Sequence, residues 1–165
     1  MEPVSRGESD PGGALDRALE ILVDLQGLRR CAVLDRSGRI LGHRGFPSRG
    51  EATETASLVA GIHASGGRLS QLLGETRPAR IRTLGESRET LVLPLTSGGD
   101  PLLLFLLMDA PTDGEALRGA LEEVGRVLGS GAVASGREVT AEGFEESLTE
   151  SLDRLFPSEG DPGSP

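Results

Sequence analysis

The run from Leu102 to Met108 is apolar without a break, and it constrains the fold more than any other feature of the chain. A bilayer span needs ~20 such residues, so this segment is too short to cross a membrane. It follows a Ser97-Gly98-Gly99-Asp100 turn signal and precedes a helix-capping signal. A strand without polar alternation must be covered on both faces. The expectation is a layered domain with this strand at its centre, carrying helices on each side or helices on one side and an interface on the other.

The flanking pattern supplies the other layers. Leu15, Ala18, Leu19, Leu22 and Leu25 recur at helical spacing on one stripe, and Gly27 is placed to end that helix in a left-handed turn. Short apolar runs at Cys31–Leu34 and Arg39–His43, joined by Asp35-Arg36-Ser37-Gly38, read as a hairpin. After a Pro/Ser/Gly loop, Glu51 to Leu73 forms a long helical segment closed by Gly74. Ala52, Ala56, Ala60, Gly61, Ala64, Ser65, Gly66 and Gly67 make it rich in small residues, and Leu58, Val59, Ile62, Leu69, Leu72 and Leu73 are expected to supply its core side. An interior glycine costs about 1 kcal/mol of helix propensity against alanine, so two in succession call for close approach of another backbone. Ala79–Leu84 and Thr90–Leu95 read as strands. Thr112 and Glu115 have the spacing of a capping box and open a helix with Leu117, Ala120, Leu121, Val124 and Leu128 on one stripe.

The predicted order is helix, strand, strand, helix, strand, strand, strand, helix, an α/β arrangement complete by about residue 129. The organisation is a disordered leader over 1–13, a folded domain over 14–129, a small-residue linker over 130–139, an amphipathic helix over 140–156 and a disordered tail over 157–165. Phe144, Leu148, Leu152, Leu155 and Phe156 share one face of that last helix. It arrives after the domain is closed, so its apolar face needs a partner surface. Burying each such side chain is worth about 1.5–3 kcal/mol, and both a fold-back onto the chain's own dimer and an external partner satisfy this.

Composition removes several chemistries. The 165 residues, 17.2 kDa, fit one domain with a tail, and all 17 basic residues are arginine. Without lysine there is no phosphate-gripping Walker loop and no Schiff-base chemistry. A net charge of −9, with no Trp or Tyr, opposes nucleic-acid binding. One cysteine and two histidines close neither a disulfide nor a zinc tetrad, and no metal or other cofactor is expected. From Glu138 onward eight acids stand against Arg154, a net of −7, which leaves −2 on residues 1–137. The start of the chain, MEPVSRGESDPGG, is not basic-then-apolar, and the chain is placed in the cytoplasm, off the membrane.

Three further features have ordinary readings beside sharper ones. A Cys31–His43 dyad stays geometrically open, depending on whether the Gly38 turn adds a bulge. His63, among small residues, suits partial burial or partner contact. The stretch from Gly129 to Ala134 imitates a dinucleotide fingerprint but follows a helix, and reads as linker.

The order of elements resembles the Roadblock / dynein light chain superfamily over roughly residues 14 to 129. The residues that carry the likeness are Leu34-Asp35-Arg36-Ser37-Gly38 between the first two strands and ASLVAGIHASGGRLSQLLGE from Ala56 to Glu75. Within it, that helix and the added C-terminal segment ending SLDRLF, Ser151 to Phe156, are most similar to bacterial MglB proteins. The resemblance implies an α-β-β-α-β-β-β-α sandwich with a five-stranded antiparallel sheet. It implies a homodimer whose third strands, here Arg80, Ile81, Arg82 and Thr83, pair edge to edge and set the two long helices side by side. On that platform the family binds one Ras-like small GTPase of the MglA type, which assigns Ala56, Ser57, Ala60, Gly61, Ala64, Ser65 and Arg68 to the contact. Hydrolysis is accelerated by pushing the GTPase's own catalytic residues into place, with no inserted arginine and no catalytic site on the chain itself. Phe144, Leu148, Leu152, Leu155 and Phe156 would touch the GTPase away from its nucleotide pocket, in cell polarity or gliding motility at a cell pole.

Arg68 departs from the family, which tends to be small there. Its bulk would weaken docking of the usual GTPase or pair with an acid on an adapted one. That keeps a non-stimulating Roadblock adaptor in play, and a small-molecule sensor domain of similar architecture is the rival from another class. Arg80 and Arg82 would guard a sheet edge against aggregation as readily as line a dimer seam.

Overall fold

A computed structural model of the chain describes residues 11–75, 80–129 and 138–139. In chain order the elements are α1 (Pro11–Val23), β1 (Leu28–Asp35), β2 (Ile40–Arg44), α2 (Arg49–Leu72), β3 (Arg80–Leu84), β4 (Arg88–Ser97), β5 (Asp100–Asp109), α3 (Gly114–Val127) and β6 (Glu138–Val139). The sheet order is β2-β1-β5-β4-β3-β6, with the first five strands antiparallel and β6 added in parallel outside β3. The mixed α/β sandwich with a five-stranded antiparallel sheet is thus present, and β6 lies in what was expected to be linker. Helix α1 begins at Pro11, inside the stretch expected as leader; a proline is tolerated in a first turn because its missing N–H has no intrahelical partner there.

β5 is the central strand, and its alternation explains the unbroken apolar run. Leu104, Leu106 and Met108 point to one face, where Cys31 and Val33 of β1, Leu91, Leu93 and Leu95 of β4 and the buried stripes of α1 and α3 meet them. Leu103 and Phe105 point to the other, with Ala32 and Leu34 of β1, Val92 of β4 and Ala56 and Val59 of α2. Among the described residues the helices therefore divide two against one: α1 and α3 share a face, and α2 covers the opposite one.

The start of α3 corrects one expectation. The cap is Asp113, whose Oδ1 accepts from the amides of Glu115 at 2.9 Å and Ala116 at 3.1 Å. Thr112 instead turns its hydroxyl back to donate to the Asp109 carbonyl at 3.2 Å. Both residues are good caps, and the one whose oxygen reaches two free amides at once takes the position. The amphipathic segment 140–156, with Phe144, Leu148, Leu152, Leu155 and Phe156, lies outside the described residues.

Candidate functional site

Helix α2 carries most of the residues singled out in the sequence, and the β1–β2 hairpin sets how it sits. Ser48 caps it, its hydroxyl oxygen accepting from the Glu51 amide at 3.1 Å. Arg30 of β1 pairs with Glu51 and lies over the Phe46 ring, 5.5 Å from its centroid. Phe46 in turn packs on Phe105, centroids 6.4 Å apart. The hairpin turn is tightened by Asp35, whose Oδ1 accepts from the Ser37 hydroxyl and from the amides of Ser37 and Arg39, bonds that lower its pKa. At the turn's last position Gly38 has φ +89°, and a Cβ there would stand 3.2 Å from the Ala56 carbonyl and 3.3 Å from the Ala60 Cβ. The turn presses on the helix, and only small side chains fit between them.

This close approach redraws the expected sides of α2 in part: Val59 and Leu73 lie inward as expected, but most of the large apolar residues do not. The inward line is Ala52, Ala56 and Val59, all buried, continuing through His63, Gly66, Ser70 and Leu73, which are half-buried. Leu58, Ile62, Leu69 and Leu72, expected in the core, are 63%, 50%, 37% and 69% exposed. Ala56, expected at the partner contact, is buried against the hairpin at 1% exposure, and Ala60 is half-turned toward it. The remaining assigned positions, Ser57, Gly61, Ala64, Ser65 and Arg68, are exposed.

Two lines emerge on the outer surface. Leu58, Ile62, Ser65, Leu69 and Leu72 follow one another at steps of four and three, and so do Ser57, Gly61, Ala64, Arg68 and Gln71. At ~100° per residue the lines run side by side, about a quarter turn apart, the small-residue line nearly opposite the buried one. A Cβ on Gly61 would meet nothing within 4 Å, so no part of the described chain accounts for a glycine there. Arg68 lies on the small line, its Nη1 3.4 Å from Gln71 Oε1. Sequence reasoning missed the apolar line as a surface. Its four-and-three spacing was the available signal, masked by the assumption that large apolar residues face inward.

Elsewhere the sharper readings fall away. The register pairs Ala32 with His43, with an irregularity between Val33 and Leu34, so Cys31 points to the opposite face of the sheet from His43. The His43 ring sits edge-on to Phe46, 5.6 Å between centroids, while Cys31 is sealed under α1 with its thiol pushed up to about 11 by burial. No dyad forms. On β3, Arg82 turns to Glu89 of β4, Nε to carboxylate 2.5 Å, and neutralises a carboxylate that is 1% exposed. Ile81 packs on the α2-side core, Thr83 is exposed, and the outer edge at Arg80 and Ile81 pairs with Glu138 and Val139. Gly129, at φ +68°, terminates α3, as a helix-ending glycine does.

Among the described residues no group of three or more His, Cys, Asp or Glu side chains is placed to hold a metal, and no helix is long and apolar enough to cross a membrane. The element order, the sheet order and the lone helix on one face of the described residues define an α/β sandwich of the Roadblock type. Residues 15–100 match the Roadblock/LC7 domain family, and the chain belongs to that family.

Among solved structures it is similar to MglB from Myxococcus xanthus, at 19% identity and a TM-score of 0.61, covering 78% of this chain and 90% of that one. The gliding protein MglB from Thermus thermophilus is similar at 26% identity and a TM-score of 0.58, covering 78% and 95%. A Roadblock/LC7 domain from Streptomyces avermitilis matches at 16% identity and a TM-score of 0.59, over 67% and 91%. No curated protein sequence matches the chain.

Proposed function

We propose that the chain is a homodimeric regulator of a Ras-like small GTPase of the MglA type. It stimulates GTP hydrolysis by repositioning the GTPase's own catalytic residues, in bacterial cell polarity or motility at a cell pole. The observation that carries this reading is the pair of lines on α2. The apolar line of Leu58, Ile62, Leu69 and Leu72 suits pairing with the same helix of a second copy, which would also bring the two β3 edges together. The small line of Ser57, Gly61 and Ala64, facing away from the sheet, suits a flat partner surface laid across both helices. Likeness to Thermus MglB at 26% identity over most of both chains supports the partner class. Phe144, Leu148, Leu152, Leu155 and Phe156 would add a contact to the GTPase outside its nucleotide pocket.

The test is phosphate release from a GTP-loaded MglA-type GTPase with and without the chain, together with light scattering of the chain alone. Faster release and a dimer at micromolar concentration are expected. Binding without faster release would leave the second reading, a non-stimulating adaptor, which the exposed Arg68 on the small line favours. A monomer would end the dimer reading.

A further inference from the structure

The outer edge of β3 is where the proposed dimer would form, yet in the single chain that edge is already taken. Glu138 and Val139 run parallel to β3 and pair with Arg80 and Ile81. From this we propose that the β3 edge is a docking strip for the chain's own C-terminal segment, which competes there with a second copy. The competition rests on the dimer reading above; the docking does not.

Three observations support it. An edge strand offers one row of unpaired N–H and C=O groups, and two strands cannot use the same groups at once. The paired segment opens the acidic part of the chain, where residues 138–165 carry a net −7, while β3 contributes Arg80 and Arg82. Arg82 is paired with Glu89, and the Nε of Arg80 is shielded from solvent with no acceptor among the described residues, which leaves an unmet donor beside this edge.

The size of the contact makes it reversible. A parallel pairing of two residues is weaker than the antiparallel ladder that two β3 strands of five residues would form. The segment therefore holds the edge against weak encounters and yields to a well-aligned second copy. Because β6 belongs to the same chain as β3, its effective concentration at that edge is high.

The experiment uses the full chain and two variants. Glu138→Pro with Val139→Pro removes both amides of β6, whereas Glu138→Ala removes the same charge and keeps them. At a dilution where the chain is monomeric, amide exchange across Arg80–Thr83 should be roughly tenfold slower in the native chain and in Glu138→Ala than in the double proline variant. Because both copies must release their edges, the dimer dissociation constant from sedimentation should be about a hundredfold lower in the double proline variant.

Equal exchange rates in all three would overturn the docking. Protection that appears only at dimeric concentrations would place the segment on a second copy and overturn it as an intramolecular contact. Faster exchange with an unchanged dissociation constant would overturn the competition. If no variant dimerises, the dimer reading falls and the competition with it, while the exchange rates still decide whether the edge is docked.

Discussion

Helices α3 and α2 cover opposite faces of one sheet and use their large side chains in opposite ways. In α3 and its cap, Leu117, Leu121, Val124 and Leu128 all point inward and are buried. In α2 the inward line begins with alanines, and Leu58, Ile62, Leu69 and Leu72 point out. The difference lies in what each helix packs against. α3 shares its face with α1, and the two interlock leucine stripes over the sheet. α2 is met by the Gly38 turn, which leaves room for little beyond a Cβ. A helix fitted so closely to a hairpin cannot bury large side chains there, and each one left partly in water forgoes a share of what full burial is worth, about 1.5–3 kcal/mol. One helix turns its large side chains into the core; the other leaves them on the surface of the described residues.

The sharpest way to break this contrast is to truncate one leucine-type side chain on each helix. Leu121→Ala removes a side chain that is 2% exposed and should lower unfolding free energy by about 2–5 kcal/mol in urea. Ile62→Ala, at a half-exposed site, should shift it by no more than about 0.5 kcal/mol at a dilution where the chain is monomeric, while weakening self-association. Equal losses in dilute solution would mean that α2 is sealed within its own chain, and the contrast would be gone.

A smaller effect of opposite sign comes from two glycines. Gly38→Ala asks an L-residue to hold φ +89° against the α2 backbone and should cost about 1–2 kcal/mol or more in thermal unfolding. Gly61→Ala places a methyl where nothing stands within 4 Å and should stabilise the monomer by about 1 kcal/mol, the ordinary helix-propensity gain. The same methyl lands on the small outward line, so affinity for the proposed GTPase partner should fall although the protein has become more stable. A gain in stability with undiminished affinity would take Gly61 out of the docking face.

These glycines also mark where the sequence was readable. The strands, the hairpin turn and the stripes of α1 and α3 follow from periodicity, because in each a single apolar set faces a single core. α2 carries two sets, small at Ala52, Ala56 and Ala60 and large at Leu58, Ile62, Leu69 and Leu72. Periodicity alone does not say which is inside. The rule that large apolar residues face inward holds for Val59 and Leu73 of α2 and fails for Leu58, Ile62, Leu69 and Leu72, so this helix was legible only in part. The two-residue strand β6 left no periodic signal at all: its pairing depends on β3 offering a free edge, a property of the assembled sheet.

The smallest effect concerns His63, midway along the inward line of α2. It follows the buried Val59 and precedes the half-buried turns that end at Leu73. Burial disfavours its charged form, the nearby Arg36 adds to that, and its Nε2 is shielded from solvent without a hydrogen-bond partner among the described residues. A histidine whose folded pKa lies below its unfolded value of about 6.5 binds fewer protons folded than unfolded as the solution turns acid. Its contribution is intact above the unfolded pKa and is lost as pH falls through the folded one. The urea midpoint should therefore decline slightly from neutral pH downward, and His63→Gln should remove that part of the slope. An NMR titration of the imidazole should give a midpoint below the ordinary histidine value. An ordinary midpoint would mean that water reaches the inward line at its centre, leaving α2 held to the sheet mainly by Ala52, Ala56 and Val59. The outward lines would then ride on a half-anchored helix, too loose to present a flat surface to a partner.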